Sequence, residues 1–269
     1  MSFSGKLLFQ SRTLQVILQL LLVMVSSTTA GVAATNAEEG PKIPSFIKVC
    51  HRNDPLLNVC VRDAIQALKE RIPRGIPELF LPPLEPLVLP EMRMDQDSGA
   101  IYMHSSYKNI HIHGLSNYAL GDVVIDPAKH ELWMAVKFPN LSLNADYKMK
   151  GKIMMMPLVG EGDCRANFTN VDVEIAMVLA RHKQASGRVH LRIKDLQIKY
   201  EIEKTHLRLE NLFNGDEALG ERMNTFLNEN WQSLSDEVRP FLEKTVAEVV
   251  RKATDKLFKA YSYDDLLPE

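Results

Sequence analysis

The last part of the chain carries one unbroken apolar pattern, from Asn214 to Tyr261. Leu219, Met223, Phe226, Leu227, Leu234, Phe241, Leu242, Val249, Ala253 and Leu257 recur at the three-and-four spacing of a single helical face. Trp231, Val238, Val246, Val250 and Phe258 widen that face beyond a coiled-coil seam. Asn214 with Glu217 has the form of a capping box at its start. Such a helix, about 45 residues at 1.5 Å each, would span roughly 65–70 Å. A compact sphere of this chain length is only about 45 Å across. The pattern therefore predicts an elongated molecule or a sharp kink at Pro240, and a large partner surface to cover the face.

Between about Ala100 and Leu212 the period changes to two. Leu132, Met134, Val136 and Phe138 alternate with Glu131, Trp133, Ala135 and Lys137. After a break at Pro139-Asn140 the alternation resumes as Leu141, Leu143, Ala145, Tyr147 and Met149. Val171, Val173, Ile175, Met177 and Leu179 follow, then Val189, Leu191 and Ile193. The phase slips at Lys194-Asp195 and continues as Leu196, Ile198, Tyr200 and Ile202, as one bulge would produce. Alternation of this kind predicts antiparallel strands with one buried and one wet face. The architecture that satisfies both patterns is α+β: a long antiparallel sheet, bent by bulges and rolled around the C-terminal helix. A sheet wrapped on one helix leaves apolar space near its ends, and such space is a ligand site by default.

The earlier residues are more broken. Asp54 to Arg71 reads as a helix with Leu57, Val61, Ile65 and Leu68 on one side. Pro73, Pro77, Pro82, Pro83, Pro86 and Pro90 then exclude a central helix or strand. The leucines among these prolines favour a segment packed along the surface over an exposed proline-rich recognition ligand.

Lys6 and Arg12, the apolar run Leu14 to Val25, and Thr28 with Ala30 read as a secretory signal over residues 1–30, followed by a polar leader over 31–44 and one domain over 45–267. The formal charge of −2 becomes about −4 once Lys6 and Arg12 are removed. That balance, without a basic cluster, argues against nucleic acid. No later run is long and apolar enough to imply stable membrane insertion. Cys50 and Cys60 flank a short loop whose closure would contribute about 3 kcal/mol; the alternative is that neither pairs locally. Cys164 reads as a buried thiol rather than a nucleophile. Asn140 and Asn167 head glycosylation sequons, Asn140-Leu141-Ser142 and Asn167-Phe168-Thr169.

Several blocks carry more than pattern. They are Cys50 through Cys60-Val61-Arg62-Asp63-Ala64-Ile65, Gly160-Glu161-Gly162 with Ala166 to Val171, Leu212-Phe213-Asn214-Gly215, Leu219-Gly220, Phe226 to Trp231, Pro240, and Tyr263-Asp264-Asp265-Leu266-Leu267. In order and spacing the chain resembles the takeout / juvenile hormone-binding protein family of insects over about residues 45–267. The resemblance implies a TULIP-like, juvenile hormone-binding protein-like fold, in which a highly curved antiparallel sheet wraps a long C-terminal helix. It implies a secreted, extracellular carrier with an internal apolar tunnel for terpenoid or fatty-acid-like lipids. Members of the family are linked to circadian and feeding behaviour. Cys50 and Cys60 match the family's N-terminal disulfide. The hormone-binding branch has a second disulfide, so an unpartnered Cys164 puts this chain nearer the takeout-like branch.

Enzyme chemistry has little support. There is no G-x-S-x-G elbow, H-E-x-x-H pair or Walker loop, and Arg165 stands where a dinucleotide fingerprint needs its third glycine. No cofactor is implied. His104, His111 and His113 have a spacing compatible with a weak zinc site, but nothing nearby completes it, and they read as surface or hydrogen-bonded histidines. Met154-Met155-Met156 is either ordinary filling at a strand end or a soft lip at a tunnel mouth. Met134, Phe138, Leu143, Tyr147, Ile175, Tyr200, Phe226 and Trp231 are the candidate lining, with Tyr147 and Tyr200 as groups that could orient a polar head. Burying ~400 Å² of a lipid would gain on the order of 10 kcal/mol before association costs. The competing reading is a secreted interaction protein with a filled core. It would meet an extracellular protein partner, a receptor or a membrane surface through the proline-rich segment and Tyr261 to Leu267.

Overall fold

Six antiparallel strands follow from the alternating region: β1 (Leu87–Ser98), β2 (Ile101–His113), β3 (Ala119–Asp126), β4 (Glu131–Ile153), β5 (Met156–Lys183) and β6 (Val189–Leu209). The computed structural model describes residues 41–98 and 101–269. The predicted secretory signal and residues 31–40 of the leader lie outside the described residues. The hydrogen-bonded order is β1-β2-β4-β5-β6, with β3 also on β4. β2 and β3 share one edge of β4: β3 pairs Glu131 to Lys137, and β2 pairs Ser142 to Ile153.

β4, β5 and β6 run for 23, 28 and 21 residues. Strands in globular proteins are usually about 3–10 residues long, and longer ones must twist or bend. Two devices in the sequence do the bending. One is the phase slip read at Lys194-Asp195: Val178 pairs Asp195 and Leu179 pairs Ile193, leaving Lys194 unopposed as a bulge. The other is a crease. Register is kept from Phe138↔Val171 to Asn140↔Thr169, and from Val171↔Ile202 to Thr169↔Lys204. The buried parity nevertheless changes at this level on all three strands. Along the chain, inward positions pass from even to odd on each of β4, β5 and β6. Asn170 sits in the crease at φ 49°, a left-handed conformation that asparagine tolerates better than most residues.

The helices are α1 (Leu57–Ala67), α2 (Glu217–Glu229), α3 (Trp231–Ala260) and the short α4 (Tyr263–Leu266). The single helix expected from Asn214 to Tyr261 is two. It breaks at Asn230 (φ −110°, ψ 16°), whose side chain donates back to the Phe226 carbonyl at 2.8 Å. Pro240 does not break it; it lies on an exposed flank inside α3. The expected Asn214–Glu217 capping box is also absent. Asn214 is in a left-handed turn, and Asp216 caps α2 by accepting from the Leu219 N–H at 3.0 Å. The helix expected over Asp54 to Arg71 is shorter: it starts at Leu57 and gives way to a turn over residues 68–71, which a 3₁₀ turn, Ile72–Arg74, follows.

The free edge of β6 would expose unpaired backbone groups. The helices cover it through side chains. Asn228 accepts from the Leu207 N–H at 2.8 Å and donates to the Leu207 carbonyl at 2.7 Å. Asn224 does the same with Leu209, both bonds at 2.9 Å. One turn apart on α2, the two amides take the place of a neighbouring strand. From α3, Arg239 donates to the Tyr200 carbonyl and Arg251 to the Ile193 carbonyl.

The segment around Cys50 is tied to the last residues described. Cys50 and Cys60 form a disulfide. Arg52 pairs with Asp264, its N–H donates to the Pro268 carbonyl at 2.7 Å, and its guanidinium lies 4.4 Å from the Tyr263 ring centroid. Ser262 and Asp265 form a capping box on α4, and Arg188 bonds both. The proline-rich segment packs its leucines inward: Leu79, Leu81 and Leu84 lie against Ile72, Ile76 and Tyr118.

Candidate functional site

The strand pairings carry inward side chains across the sheet in rows. Leu132–Met177–Leu196, Met134–Ile175–Ile198, Val136–Val173–Tyr200 and Phe138–Val171–Ile202 lie on one side of the crease. Leu143–Ala166–Leu207 and Ala145–Cys164–Leu209 lie on the other. Directly paired residues in an antiparallel sheet face the same way, so each row is a continuous apolar band.

These bands do not merge into one core. The first cluster joins Ile101, Met103, Tyr147, Met149, Leu158, Cys164 and Leu209 to Met223 and Leu227 of α2, with Leu234 and Val238 against it. The second joins Met177, Leu191, Ile193, Leu196 and Ile198 to Phe258 and Tyr263. The third lies under the proline-rich segment and takes in Leu120, Val136 and Phe138. Between Val238 and Ala247 on α3, Phe241 and Leu242 are half-buried and belong to none of the three, as do Met134 and Trp231. Phe258 is the one buried residue of the whole helix α3. A long helix so wide in its apolar face, yet so incompletely buried, is unlike a packed core helix.

The eight candidate lining residues divide accordingly. Met134 and Ile175 are direct cross-strand partners, and Tyr200 lies in the adjacent row. Ile175 packs against the second cluster and Phe138 against the third. Leu143 and Phe226 pack against the first, which contains Tyr147 itself. Trp231 is half-buried at the start of α3. Tyr147 is 2% exposed and donates to the Glu210 carbonyl at 2.7 Å. Gly160 makes room for it, since a Cβ there would stand 2.5 Å from the tyrosine hydroxyl. Tyr200 differs: its buried hydroxyl lies beside Ser235 but makes no hydrogen bond of good geometry, while Arg239 stacks 5.0 Å from its ring centroid. Of the two tyrosines, only Tyr200 therefore has a hydroxyl left for a ligand.

Burial pushes the Cys164 thiol up to about 11 and Tyr107 up to about 12, and raises Tyr147 well above the ordinary phenol range. The free Cys164 stays protonated and inert. The three histidines each have a separate partner. His104 faces Asp95 at 2.8 Å, His113 faces Glu85 at 3.5 Å, and His111 bonds the Asn109 carbonyl at 2.7 Å. Among the described residues no three or more His, Cys, Asp or Glu converge to hold a metal.

A mixed-charge groove of about 460 Å³ opens between the β6 stretch Leu196 to Lys199 and α3, lined also by Pro240, Ala247 and Arg251. It lies between the Arg239 and Arg251 bonds to β6. A second, of about 350 Å³, lies beside Asn224 and Asn228. Neither was read from the sequence, because each depends on which helix meets the strand edge. The two surfaces considered for a protein partner are largely engaged internally: Tyr261 and Tyr263 are buried, and the leucines of the proline-rich segment are packed.

Residues 20–268 match the model of a family described as haemolymph juvenile hormone binding protein. The circadian clock-controlled protein daywake of Drosophila melanogaster is 25% identical over 237 residues, covering 86% of this chain and 89% of daywake. Daywake of Drosophila yakuba is 24% identical over 233 residues, covering 82% and 87%. The crystal structure of Epiphyas postvittana Takeout 1 superposes with a TM-score of 0.71 at 20% identity, over 83% of this chain and 100% of that one. At that identity the likeness establishes a shared fold.

Proposed function

The chain belongs to the haemolymph juvenile hormone binding protein family, and from that premise we propose that it is a secreted carrier for a small lipophilic ligand, terpenoid or fatty-acid-like. The ligand would lie between α3 and the sheet rows around Met134, Ile175 and Tyr200. What supports this reading is that α3, for all the width of its apolar face, buries only Phe258 and leaves Phe241 and Leu242 half-buried along it. Apolar burial at about 25 cal/mol per Å² would drive binding, and the Tyr200 hydroxyl would meet the polar head. Native mass spectrometry of the secreted protein, followed by lipid extraction, tests this directly. An empty protein that also binds no fluorescent fatty-acid or terpenoid probe would remove the reading.

Secretion and glycosylation belong to the same proposal. No helix among the described residues is long and apolar enough to cross a membrane. Asn140 and Asn167 are both exposed on the outer face of the sheet, where a glycan would be accommodated. A mass shift on treatment with an N-glycan amidase is expected, and its absence would remove this part. Clock-linked expression is proposed from the daywake relatives alone; a flat transcript profile across a light–dark cycle would remove it.

A further inference from the structure

The β4–β5 hairpin ends in an unusual turn. Ile153 pairs with Met156, so Met154 and Met155 are the two tip residues. Met154 has φ 53° and is 47% exposed; Met155 is 90% exposed. Hairpin positions with φ above zero ordinarily hold glycine, asparagine or aspartate. Met154 holds such a position, and Met155 beside it, almost wholly in water, fills no gap in the protein. The tip is rigidly founded, because Ile153 and Leu158 are buried in the first cluster at 3% and 1% exposure.

Behind the tip the outer face of β4 carries Lys148, Lys150 and Lys152, all exposed. Lys148 is neutralised by Glu161 at 2.6 Å. Lys150 and Lys152 enter no ion pair among the described side chains, although Lys152 lies 5.7 Å from the Tyr102 ring centroid. Tyr102, paired with Lys152 across β2 and β4, is itself an exposed aromatic. The order along the hairpin is thus apolar at the tip, then Lys152 and Tyr102 about two residues behind, or roughly 7 Å, and Lys150 about four residues behind, or roughly 13 Å. That is the depth order of a bilayer interface, where apolar side chains reach the acyl boundary and lysine and tyrosine sit among the headgroups.

We propose that the β4–β5 hairpin tip docks on an anionic phospholipid bilayer surface, with Met154 and Met155 entering the interface and Lys150 and Lys152 meeting the lipid headgroups. A convex two-residue tip is too small for a stable protein interface, which needs about 800 Å² per partner. It suits shallow, reversible insertion supported by charge. Docking would bring an apolar-cargo carrier to a lipid source, but the proposal does not rest on the carrier reading.

The test is co-sedimentation of the purified full chain with vesicles of phosphatidylcholine alone or with about 30 mol % phosphatidylserine, at low and high salt. The wild type is expected to partition to the anionic vesicles and to be released by salt. Lys150→Glu/Lys152→Glu is expected to lose at least about twentyfold in partitioning, since each lysine near an anionic surface contributes about fivefold. Met154→Ser/Met155→Ser is expected to lose at least about tenfold. Both variants should keep the wild-type melting temperature and fluorescent fatty-acid binding. Failure of the wild type to bind anionic vesicles, equal binding to phosphatidylcholine alone, or unchanged binding by the variants would overturn the proposal. Vesicle binding without probe binding would instead remove the carrier reading and leave this one standing.

Discussion

Asn224 carries more of the fold than its size suggests. It is 5% exposed, and its amide satisfies both backbone groups of Leu209. Asn224→Ala would leave a buried N–H and a buried carbonyl without partners, at about 1–3 kcal/mol each. A stability loss of about 2–4 kcal/mol by urea unfolding is expected, with faster hydrogen exchange at the Leu209 amide. Gly160→Ala should also destabilise, because the new Cβ would meet the Tyr147 hydroxyl at 2.5 Å and Leu212 at 2.9 Å. Adding Tyr147→Phe removes one of those contacts, so the double variant should lose less than the sum of the two single ones. Additive losses in a thermal unfolding series would show that the clash with the hydroxyl is not the cause.

Glu85 sets a pH dependence at the same scale. Burial alone would raise its pKa, but hydrogen bonds from the Gly114 N–H and from the Ser116 hydroxyl and N–H, with the charge of His113, hold it below its ordinary 4.5. A lowered folded pKa means the unfolded chain takes up the proton first. The stability Glu85 contributes is therefore complete above about pH 4.5 and is lost as the pH falls through its folded value. Glu85→Gln should be less stable than the wild type at neutral pH, and the two should converge in acid. Urea midpoints measured from pH 7 to pH 3 check this; a constant gap would exclude the carboxylate as its source.

Among elements, what could be read locally was read. The bulge at Lys194 and the crease at Pro139-Asn140 each displace the parity of apolar residues, and parity is visible along a single strand. The helix break was not visible in this way. Pro240 is the stronger breaker by chemistry, but it falls on an exposed flank, while the actual break at Asn230 sits inside an unbroken apolar pattern. The asparagine pair had a local signal in its four-residue spacing, yet its role depends on β6 lying beside α2. The candidate lining was legible only as a direction, for the same reason. Parity showed that Met134, Phe138, Tyr147, Ile175 and Tyr200 face inward, but not which cluster each would join. At this scale Asn228→Ala with Asn224→Ala should deprotect Leu207 and Leu209 together while leaving the centre of β5 protected, by hydrogen exchange.

For the molecule as a whole, the carrier reading requires that the interior beside α3 admit added volume. A packed core resists enlargement at a cost of about 1–3 kcal/mol, whereas space beside α3 would accept it. Met134→Trp, in the row of Ile175 and Ile198, is thus expected to change stability little and to weaken binding of a fluorescent fatty-acid probe. A clear stability loss with unchanged probe binding would mean that this part of the interior is filled. Bound lipid should also raise the unfolding temperature, by the equivalent of about 2.7 kcal/mol at a hundred times its dissociation constant.

The tie between the Cys50 segment and the last residues described has a practical consequence. The Arg52 N–H bonds the Pro268 carbonyl, and His51 bonds the backbone of Glu269 at 2.7 Å, next to the Cys50–Cys60 disulfide. A reporter or purification handle fused behind Glu269 would crowd that clasp. Such a fusion is expected to lower the unfolding temperature relative to the unfused chain.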